Sequence, residues 1–324
     1  MNISPNGINI DEALEALAAC TVWYPDYREA MRIITKCINT TRHRKDPSSA
    51  MLIGPTGVGK TRLCRMIEKD LGPTQQARNS ECDKKTWPCV YIELPESATI
   101  RNLSVVMAQV LGGKPTDNQS VVILEDFIIQ RLVTIEAKLV ILDDFHHVAE
   151  KGLTKTKSSL CNWIIKLLNR SGVAFLISGS SSAEETIDLV EELSDRFPYR
   201  AKLQPLPMAD KASTSVLLGV LASLEKEMIK LGHLKEYAHL TDPTPYKAIY
   251  LATRGNFRRL SDLLHDSFEI ALLRGDYTLK ISDFAEAAAD LAFCCCPNYF
   301  LMSHSQLNFA LKFQTNKSSE TAKK

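Results

Sequence analysis

The sequence predicts an α/β fold in which a parallel sheet of about five strands is flanked by helices and followed by an all-α lid. Three observations predict it. Apolar segments of strand length alternate with helical patterns as far as Leu203. A glycine-rich turn, Gly54 to Thr61, joins one such strand to a helix. After Pro205-Leu206-Pro207 the pattern is helical throughout, which predicts a separate helical region.

The N-terminal segment, residues 1–45, is predicted to be helical. Ile10 to Cys20 has helical periodicity, with Asp11 as a candidate cap. The aromatic residues Trp23 and Tyr24 follow. Two interpretations of them stay open. In one, Tyr24 packs beside the base of a bound nucleotide, and in the other, both are ordinary core residues.

The remaining elements follow from apolar periodicity and from turn residues. Strands are expected at Ser49–Ile53, Cys89–Leu94, Leu139–Asp144, Gly172–Ser180 and Tyr199–Leu203. Helices are expected at Arg28–Thr41, Arg62–Leu71, Ile100–Leu111, Asn118–Thr134, Ser158–Arg170 and Ala183–Leu193, and Gly72 to Trp87 is expected to be a long loop. The predicted domains are an N-terminal helical segment (1–45), an α/β nucleotide-binding core (46–205), a helical lid (206–297) and an irregular C-terminal tail (298–324), of which Asn316 to Lys324 is expected to be disordered.

The glycine-rich turn fits the phosphate-binding pattern G-x-x-x-x-G-K-[ST] at every fixed position. Its residues are Gly54, Pro55, Thr56, Gly57, Val58, Gly59, Lys60 and Thr61. Backbone N–H groups and the positive end of the following helix would wrap the phosphates of ATP. Lys60 would reach the β- and γ-phosphates, and the Thr61 hydroxyl would bind Mg²⁺.

A second chemical feature is the apolar strand Leu139–Asp144, which ends in two carboxylates. A central parallel strand delivers such groups to the carboxyl edge of the sheet, where the phosphate-binding turn also lies. Asp143 would hold the Mg²⁺ shell, and Asp144 would orient or deprotonate the attacking water. An isolated buried strand that ends in acids is common, so the catalytic interpretation depends on its pairing with the phosphate-binding turn.

Two further residues are candidates for nucleotide contact. Ser180, or Ser178, ends the strand Gly172–Ser180 and would touch the γ-phosphate or the attacking water, although plain turn chemistry explains these serines too. Arg258 follows Gly255 at the start of a basic helix in the lid and would reach over the nucleotide.

Composition narrows the class of protein. The formal net charge is +1, so any nucleic-acid binding must come from a local basic surface. No apolar run is long enough to span a bilayer, and no secretory signal is visible at the N-terminus. The nine cysteines include no C-x-x-C pair, which favours reduced thiols in a cytoplasmic protein, with zinc binding at Cys294–Cys296 as the weaker alternative.

Together these motifs resemble those of AAA+ ATPases, over roughly Thr21 to Pro297. Beyond the phosphate-binding turn and the acidic strand, the resemblance rests on Leu193-Ser194-Asp195-Arg196-Phe197 and on Gly255-x-x-Arg258. Within that class, Trp23-Tyr24-Pro25 and Asp143-Asp144-Phe145-His146-His147-Val148 are similar to motifs of the TniB/TnsC family of bacterial transposon ATPases.

The resemblance implies an ATP-dependent homo-oligomer, a ring or a filament, on double-stranded target DNA. It implies that the oligomer couples a target-selection protein of TniQ type to the transposase. Arg196 would be the finger that reaches the γ-phosphate in the neighbouring subunit, so hydrolysis would require assembly. A surface salt bridge is the plainer interpretation of Arg196.

The chain departs from the family at Asp144, where most AAA+ proteins carry glutamate. Because misplacing a catalytic group by about 1 Å costs on the order of 100-fold, we expect slow hydrolysis, and faster turnover in the Asp144→Glu variant.

The family places its DNA contacts on elements that line the pore of the ring. Such contacts would be to phosphates, since a target platform needs little sequence reading. The corresponding candidates are Arg101, Lys114, Thr116, Lys151, Lys155 and Lys157. A lone exposed lysine is more often plain solvated surface, so these candidates carry weight only as a group.

Two other functions share the same nucleotide residues. One is a replication-initiator or clamp-loader-like ATPase, and the other is a signalling or scaffold ATPase that binds no DNA. The few residues after Phe293 leave little room for the winged-helix domain of an initiator. The segment Pro95–Thr99 has no aromatic pore residue of the kind that protein unfolding requires.

Overall fold

The computed structural model describes residues 3–43, 47–72, 75–79, 82–95, 99–145, 154–208, 215–294 and 297–321, without the side chains of 42–43, 75–79, 82–85, 154–156 and 314–321. Contacts between Cα atoms divide the chain into two compact units. The α/β unit is Asp26–Gln204, and the helical unit combines Met1–Pro25 with Pro205–Lys324.

The α/β unit is built on a parallel sheet of five strands in the order β4-β5-β6-β1-β7. These strands are β1 (Ala50–Ile53), β4 (Cys89–Glu93), β5 (Leu139–Asp143), β6 (Ala174–Gly179) and β7 (Tyr199–Lys202). The four strands β1, β4, β5 and β6 are almost wholly buried, as expected for a parallel sheet covered on both faces. The predicted fold class is therefore confirmed.

Helices of the α/β unit connect these strands and cover the sheet. They are α2 (Pro25–His43), α3 (Lys60–Asp70), α4 (Ile100–Val110), α5 (Val121–Thr134), α6 (Thr154–Ser171), α7 (Ser181–Asp188) and α8 (Glu191–Arg196). The single helix expected over Ala183–Leu193 is wrong, because Val190 is extended and separates α7 from α8. The second helix then buries Leu193 and Phe197 in the core.

The stretch Gly72–Trp87 is not a plain loop. Its described residues form an antiparallel hairpin of β2 (Gln75–Asn79) and β3 (Cys82–Thr86). Strands are predicted from alternating apolar residues, and these two polar strands have no such alternation. They pair through the backbone, which does not require apolar side chains.

The helical unit is assembled from both ends of the chain. Its helices are α1 (Ile10–Ala19), α9 (Val216–Gly232), α10 (Pro243–Thr253), α11 (Phe257–Arg274), α12 (Ile281–Asp290) and α13 (His304–Thr321), with a 3₁₀ turn at Tyr299–Leu301. Helix α1 packs against α9 and α11, so residues 1–45 divide at Pro25 and do not form a segment of their own. Its cap is Asn9, which accepts from the Glu12 N–H, and not Asp11.

The chain after Pro297 differs from the irregular tail that its composition predicted. Helix α13 packs against α10, and Leu307 is fully buried. Side-chain contacts from α10 reach α13, where Lys247 Nζ donates to Asn308 Oδ1 at 2.6 Å. Among the described residues, no helix combines the length and apolar character that crossing a bilayer requires.

Candidate nucleotide site at the carboxyl edge of the sheet

The backbone of the glycine-rich turn has the form that phosphate binding requires. Gly57 and Gly59 have φ angles of 82° and 97°, in the left-handed region that glycine adopts without strain. Gly54 packs so tightly that an added Cβ would lie 2.3 Å from the Leu203 carbonyl oxygen. Helix α3 begins directly at Lys60, and no side chain caps it. With Gly59 as its N-cap, this helix end has no capping side chain to compete with an anion.

Lys60 is the only charged residue of the turn, and it is 8% exposed. Its ammonium donates to the carbonyl oxygens of Gly54 at 2.8 Å and Pro55 at 3.0 Å. Burial lowers the pKa of Lys60 below its ordinary value, and the nearby charges of Asp143 and Asp144 oppose that shift. Lys60, Asp143 and Asp144 thus lie close enough at this sheet edge for their charges to interact.

Asp143 ends β5 and is fully buried. Its Oδ2 accepts a hydrogen bond of 2.7 Å from the Tyr91 hydroxyl, and its Oδ1 accepts one of 3.0 Å from the backbone N–H of Asp144. Each carboxylate oxygen still has a lone pair for a further partner. A carboxylate is the protein group through which Mg²⁺ is usually bound beside substrate phosphates, so Asp143 fits that role.

Asp144 occupies an unusual backbone position. Its φ angle is 58°, which places it in the left-handed region. Among residues other than glycine, aspartate and asparagine tolerate this conformation best. The aspartate at this position is therefore compatible with the left-handed backbone directly after β5. Phe145 then anchors the chain, because its N–H donates to the Ser178 carbonyl oxygen and its ring is fully buried.

Strand β6 lies between β1 and β5, so its end adjoins both the glycine-rich turn and the acidic pair. Gly54 N–H donates to the Gly179 carbonyl oxygen at 3.1 Å, which ties the turn to this strand end. Ser178 is fully buried. The Ser180 hydroxyl lies 2.7 Å from that of Ser182, at the start of α7. This hydrogen bond is the turn chemistry that the sequence left open for Ser180.

The remaining predicted residues of the α/β unit differ in exposure. Pro55, Thr56 and Thr61 are exposed, and Val58 is buried. Thr61 lies in the first turn of α3, at the helix end that adjoins the glycine-rich turn. Arg196 is half-buried at the end of α8.

The two predicted nucleotide contacts of the helical unit are described within that unit alone. Tyr24 is 5% exposed, so its ring is core-like there. Arg258 is exposed in the first turn of α11, which Asn256 caps. The preceding Gly255 has a φ angle of 68°, and an added Cβ would lie 2.0 Å from the Leu206 carbonyl oxygen. This glycine therefore fixes the start of the helix that carries Arg258.

The candidate DNA contacts do not form one exposed set. Arg101 donates to the backbone carbonyl oxygens of Gln119, at 2.8 Å, and Asp117, so its guanidinium holds the connection between α4 and α5. Lys114 and Thr116 are exposed on that connection, and Lys157 is half-buried on α6. Lys151 lies outside the described residues, as does the side chain of Lys155.

Sequence reasoning missed Tyr91 and Arg65. The Tyr91 hydroxyl binds Asp143, and the Arg65 guanidinium lies 3.4 Å from the centroid of the Tyr91 ring. Burial is the main cause that raises the pKa of Tyr91 well above its ordinary value, and the hydrogen bond to Asp143 and the charge of Asp143 add to it. The phenol therefore stays protonated and acts as the donor. No sequence signal marks this contact, because its partners are 52 positions apart.

Comparisons with known proteins give the family and the fold of the chain. The family described as "Bacterial TniB protein" matches residues 17–205. No curated protein matches the chain.

Solved structures share its fold at low identity. The Aeropyrum pernix ORC1 protein, solved in complex with DNA, is 20% identical with a TM-score of 0.59, over 86% of this chain and 68% of that one. CDC6P from Pyrobaculum aerophilum is 15% identical with a TM-score of 0.60, over 86% of this chain and 70% of that one. Drosophila ORC bound to DNA is 15% identical with a TM-score of 0.51, over 90% of this chain and 68% of that one. The chain belongs to the TniB family, and its fold is that of the AAA+ ATPases.

Proposed function

We propose that this protein is an ATP-dependent, oligomeric regulator of DNA transposition. In this proposal it coats target duplex DNA and links a target-selection protein of TniQ type to the transposase. The observation that carries the nucleotide part is the arrangement of one sheet edge. There an uncapped glycine-rich helix start, buried Lys60 and buried Asp143 lie together. Membership of the TniB family supports the transposition part.

The site residues divide the work of hydrolysis. The N–H groups of the turn and Lys60 hold the triphosphate, which orients the γ-phosphorus for attack. Thr61 and Asp143 would hold Mg²⁺, which supplies charge neutralisation at the phosphate oxygens when bound. Asp144 accepts the proton of the attacking water while the bond between the γ-phosphorus and the bridging oxygen breaks. The products are ADP and inorganic phosphate.

Arg196 is proposed to act on the nucleotide of a neighbouring copy of the chain. It ends the short helix α8, and Arg200 braces that helix. The Arg200 guanidinium binds Asp188, with one contact of 2.7 Å, and donates to the Ser194 hydroxyl at 2.9 Å. A finger that acts in trans makes hydrolysis depend on assembly, and head-to-tail contact generates rings or helical filaments.

Duplex DNA is proposed as the polymer on which this assembly forms. Two proteins with the same fold, ORC1 of Aeropyrum pernix and Drosophila ORC, were solved bound to DNA. In this chain the exposed Lys114 and Thr116 offer contacts to phosphates. The same fold likeness favours a second candidate function, which is a replication-initiator-like ATPase.

Mobility shifts and electron micrographs on two duplexes of unrelated sequence test the proposal. The protein is mixed with each duplex in the presence of a non-hydrolysable ATP analogue, ADP or no nucleotide. We expect rings or filaments on both duplexes with the ATP analogue alone. Lys60→Ala should abolish them, whereas Lys69→Ala, a change of an exposed lysine on the same helix, should not.

The other outcomes separate the competing functions. Binding restricted to one of the two sequences would favour an initiator. A nucleotide-dependent change without DNA binding would favour a scaffold ATPase. A protein that binds nucleotide but stays monomeric with both duplexes would contradict the proposed function.

A further inference from the structure

Tyr91 connects two parts of the candidate site that are distant in sequence. On the sheet its direct neighbour in β5 is Ile141, whereas Asp143 pairs with Glu93. Tyr91 and Asp143 therefore lie on the same face of adjacent strands at diagonal positions, a separation that a long side chain can span. The phenol spans it, with its hydroxyl 2.7 Å from Asp143 Oδ2.

One face of the phenol ring is covered by a side chain of the helix that follows the glycine-rich turn. The Arg65 guanidinium stacks on the ring with its central carbon 3.4 Å from the centroid. Arg65 also forms an ion pair with Glu68 at 3.0 Å. Because Arg65 is four residues after Thr61 on α3, the two side chains share one face of the helix. The helix face that presents Thr61 thus also holds Tyr91 in place.

The hydrogen bond limits how Asp143 can rotate. The carboxylate can only accept, so the phenol donates to Oδ2, while the Asp144 N–H donates to Oδ1. With both oxygens engaged, the plane of the carboxylate is fixed before any ion arrives. Groups that orient a ligand carboxylate in this way typically contribute about 10- to 100-fold in metal affinity.

We propose that Tyr91 is a positioning residue for the Mg²⁺ site, held by Arg65, and that it sets the orientation of Asp143. This inference rests on the proposed nucleotide function. Tyr91 itself touches neither nucleotide nor ion in this mechanism. Its ring contacts Arg65 on α3, the helix that carries Thr61, and its hydroxyl binds Asp143 on β5. In this way it holds the two ion-binding side chains at a fixed relative position.

A titration with Mg²⁺ tests the proposal without measuring hydrolysis. Binding of a fluorescent ADP is measured as Mg²⁺ is added to protein in a chelator-treated buffer. For Tyr91→Phe, which keeps the ring and the Arg65 stack, we expect the half-maximal Mg²⁺ concentration to rise by about 10-fold or more. Affinity without Mg²⁺ should stay at the wild-type value, since the glycine-rich turn is unchanged.

Tyr199→Phe is the matched control. Its hydroxyl binds Thr40 Oγ1 at 3.1 Å from the other edge strand of the same sheet, so it loses a comparable hydrogen bond away from the acidic pair. It should leave the Mg²⁺ dependence unchanged. Arg65→Met, which removes the cation over the ring, should shift the Mg²⁺ midpoint in the same direction as Tyr91→Phe, by a smaller factor.

The two failures can be told apart. If the wild-type protein does not bind the fluorescent nucleotide at all, the proposed function fails. If it binds, and Tyr91→Phe has the wild-type Mg²⁺ midpoint, the positioning role is overturned. An equal loss of affinity with and without Mg²⁺ would also overturn it, because that pattern indicates general damage to the fold.

Discussion

Two parts of the α/β unit carry the proposed activities under contrasting physical conditions. At the sheet edge, Lys60 and Asp143 are buried, and each is fixed by two hydrogen bonds. On the connection between α4 and α5, Lys114 and Thr116 are exposed. The buried groups have one geometry, whereas an exposed lysine samples many rotamers and is screened by solvent. We therefore expect nucleotide chemistry to depend on single residues and DNA binding to be shared among several.

The largest expected effect comes from Arg196. Arg196→Ala should lower DNA-stimulated hydrolysis about a thousandfold, because a trans-acting arginine supplies that much transition-state stabilisation. Nucleotide binding should persist, since the glycine-rich turn is intact. Arg28→Ala, a change of an exposed arginine on α2, is the matched control and should keep wild-type turnover. Phosphate release measured with saturating ATP and duplex gives the comparison.

Mixing two inactive variants shows whether Arg196 acts between copies. In a mixture of Arg196→Ala with Asp144→Asn, which both keep the glycine-rich turn, some interfaces combine an intact Asp144 from one copy with an intact Arg196 from its neighbour. Activity should therefore exceed the sum of the separate variants. If the mixture has only that sum, Arg196 works within its own chain or serves the fold alone.

Asp144→Glu is expected to have the next largest effect. It should change the turnover and the free energy of unfolding in opposite directions. The longer acid should raise turnover, by a factor of up to the order of 100. The left-handed backbone at this position should favour aspartate, so the same change should lower the free energy of unfolding by up to roughly 1 kcal/mol. Single-turnover hydrolysis and urea unfolding measure the two effects separately.

Asp144→Asn separates the two contributions. Asparagine also tolerates the left-handed region, so this variant should keep the wild-type stability while losing the base. Faster turnover in the wild type than in Asp144→Glu would contradict the expectation that aspartate slows hydrolysis. Equal stability of all three proteins would remove the conformational explanation for aspartate at this position.

Local sequence determines much of the sheet edge, which explains why it was predictable. The phosphate-binding turn needs glycines at fixed spacing, and the adjoining strand and helix have clear periodicity, so Gly54 to Thr61 and the acidic end of β5 could be placed from sequence. The contact of Tyr91 with Asp143 could not be predicted, because tertiary packing creates it. The role of Arg101 was equally hidden, since sequence does not reveal which backbone carbonyls a guanidinium will reach.

Other misses come from elements whose side chains carry no pattern. The hairpin of β2 and β3 is polar, and helix α13 has a composition that is typical of a disordered tail. Val190 interrupts a helical pattern that reads as continuous. In each case backbone pairing or packing against a distant element decides the structure.

The smallest effects are expected on the connection between α4 and α5 and on α6. Replacing Lys114 and Lys157 together with glutamine should flatten the dependence of DNA affinity on salt, since each lost phosphate contact lowers the slope of log K against log salt by about 0.9. Thr116→Val should weaken binding without changing the slope, because threonine carries no charge. The control is Lys226→Gln with Lys230→Gln, two exposed positions on α9 of the helical unit. Fluorescence anisotropy on labelled duplex at several salt concentrations gives each slope. A double Lys114 and Lys157 variant with the wild-type slope would remove both residues from the interface, and with them the expectation that shared surface charge holds the duplex.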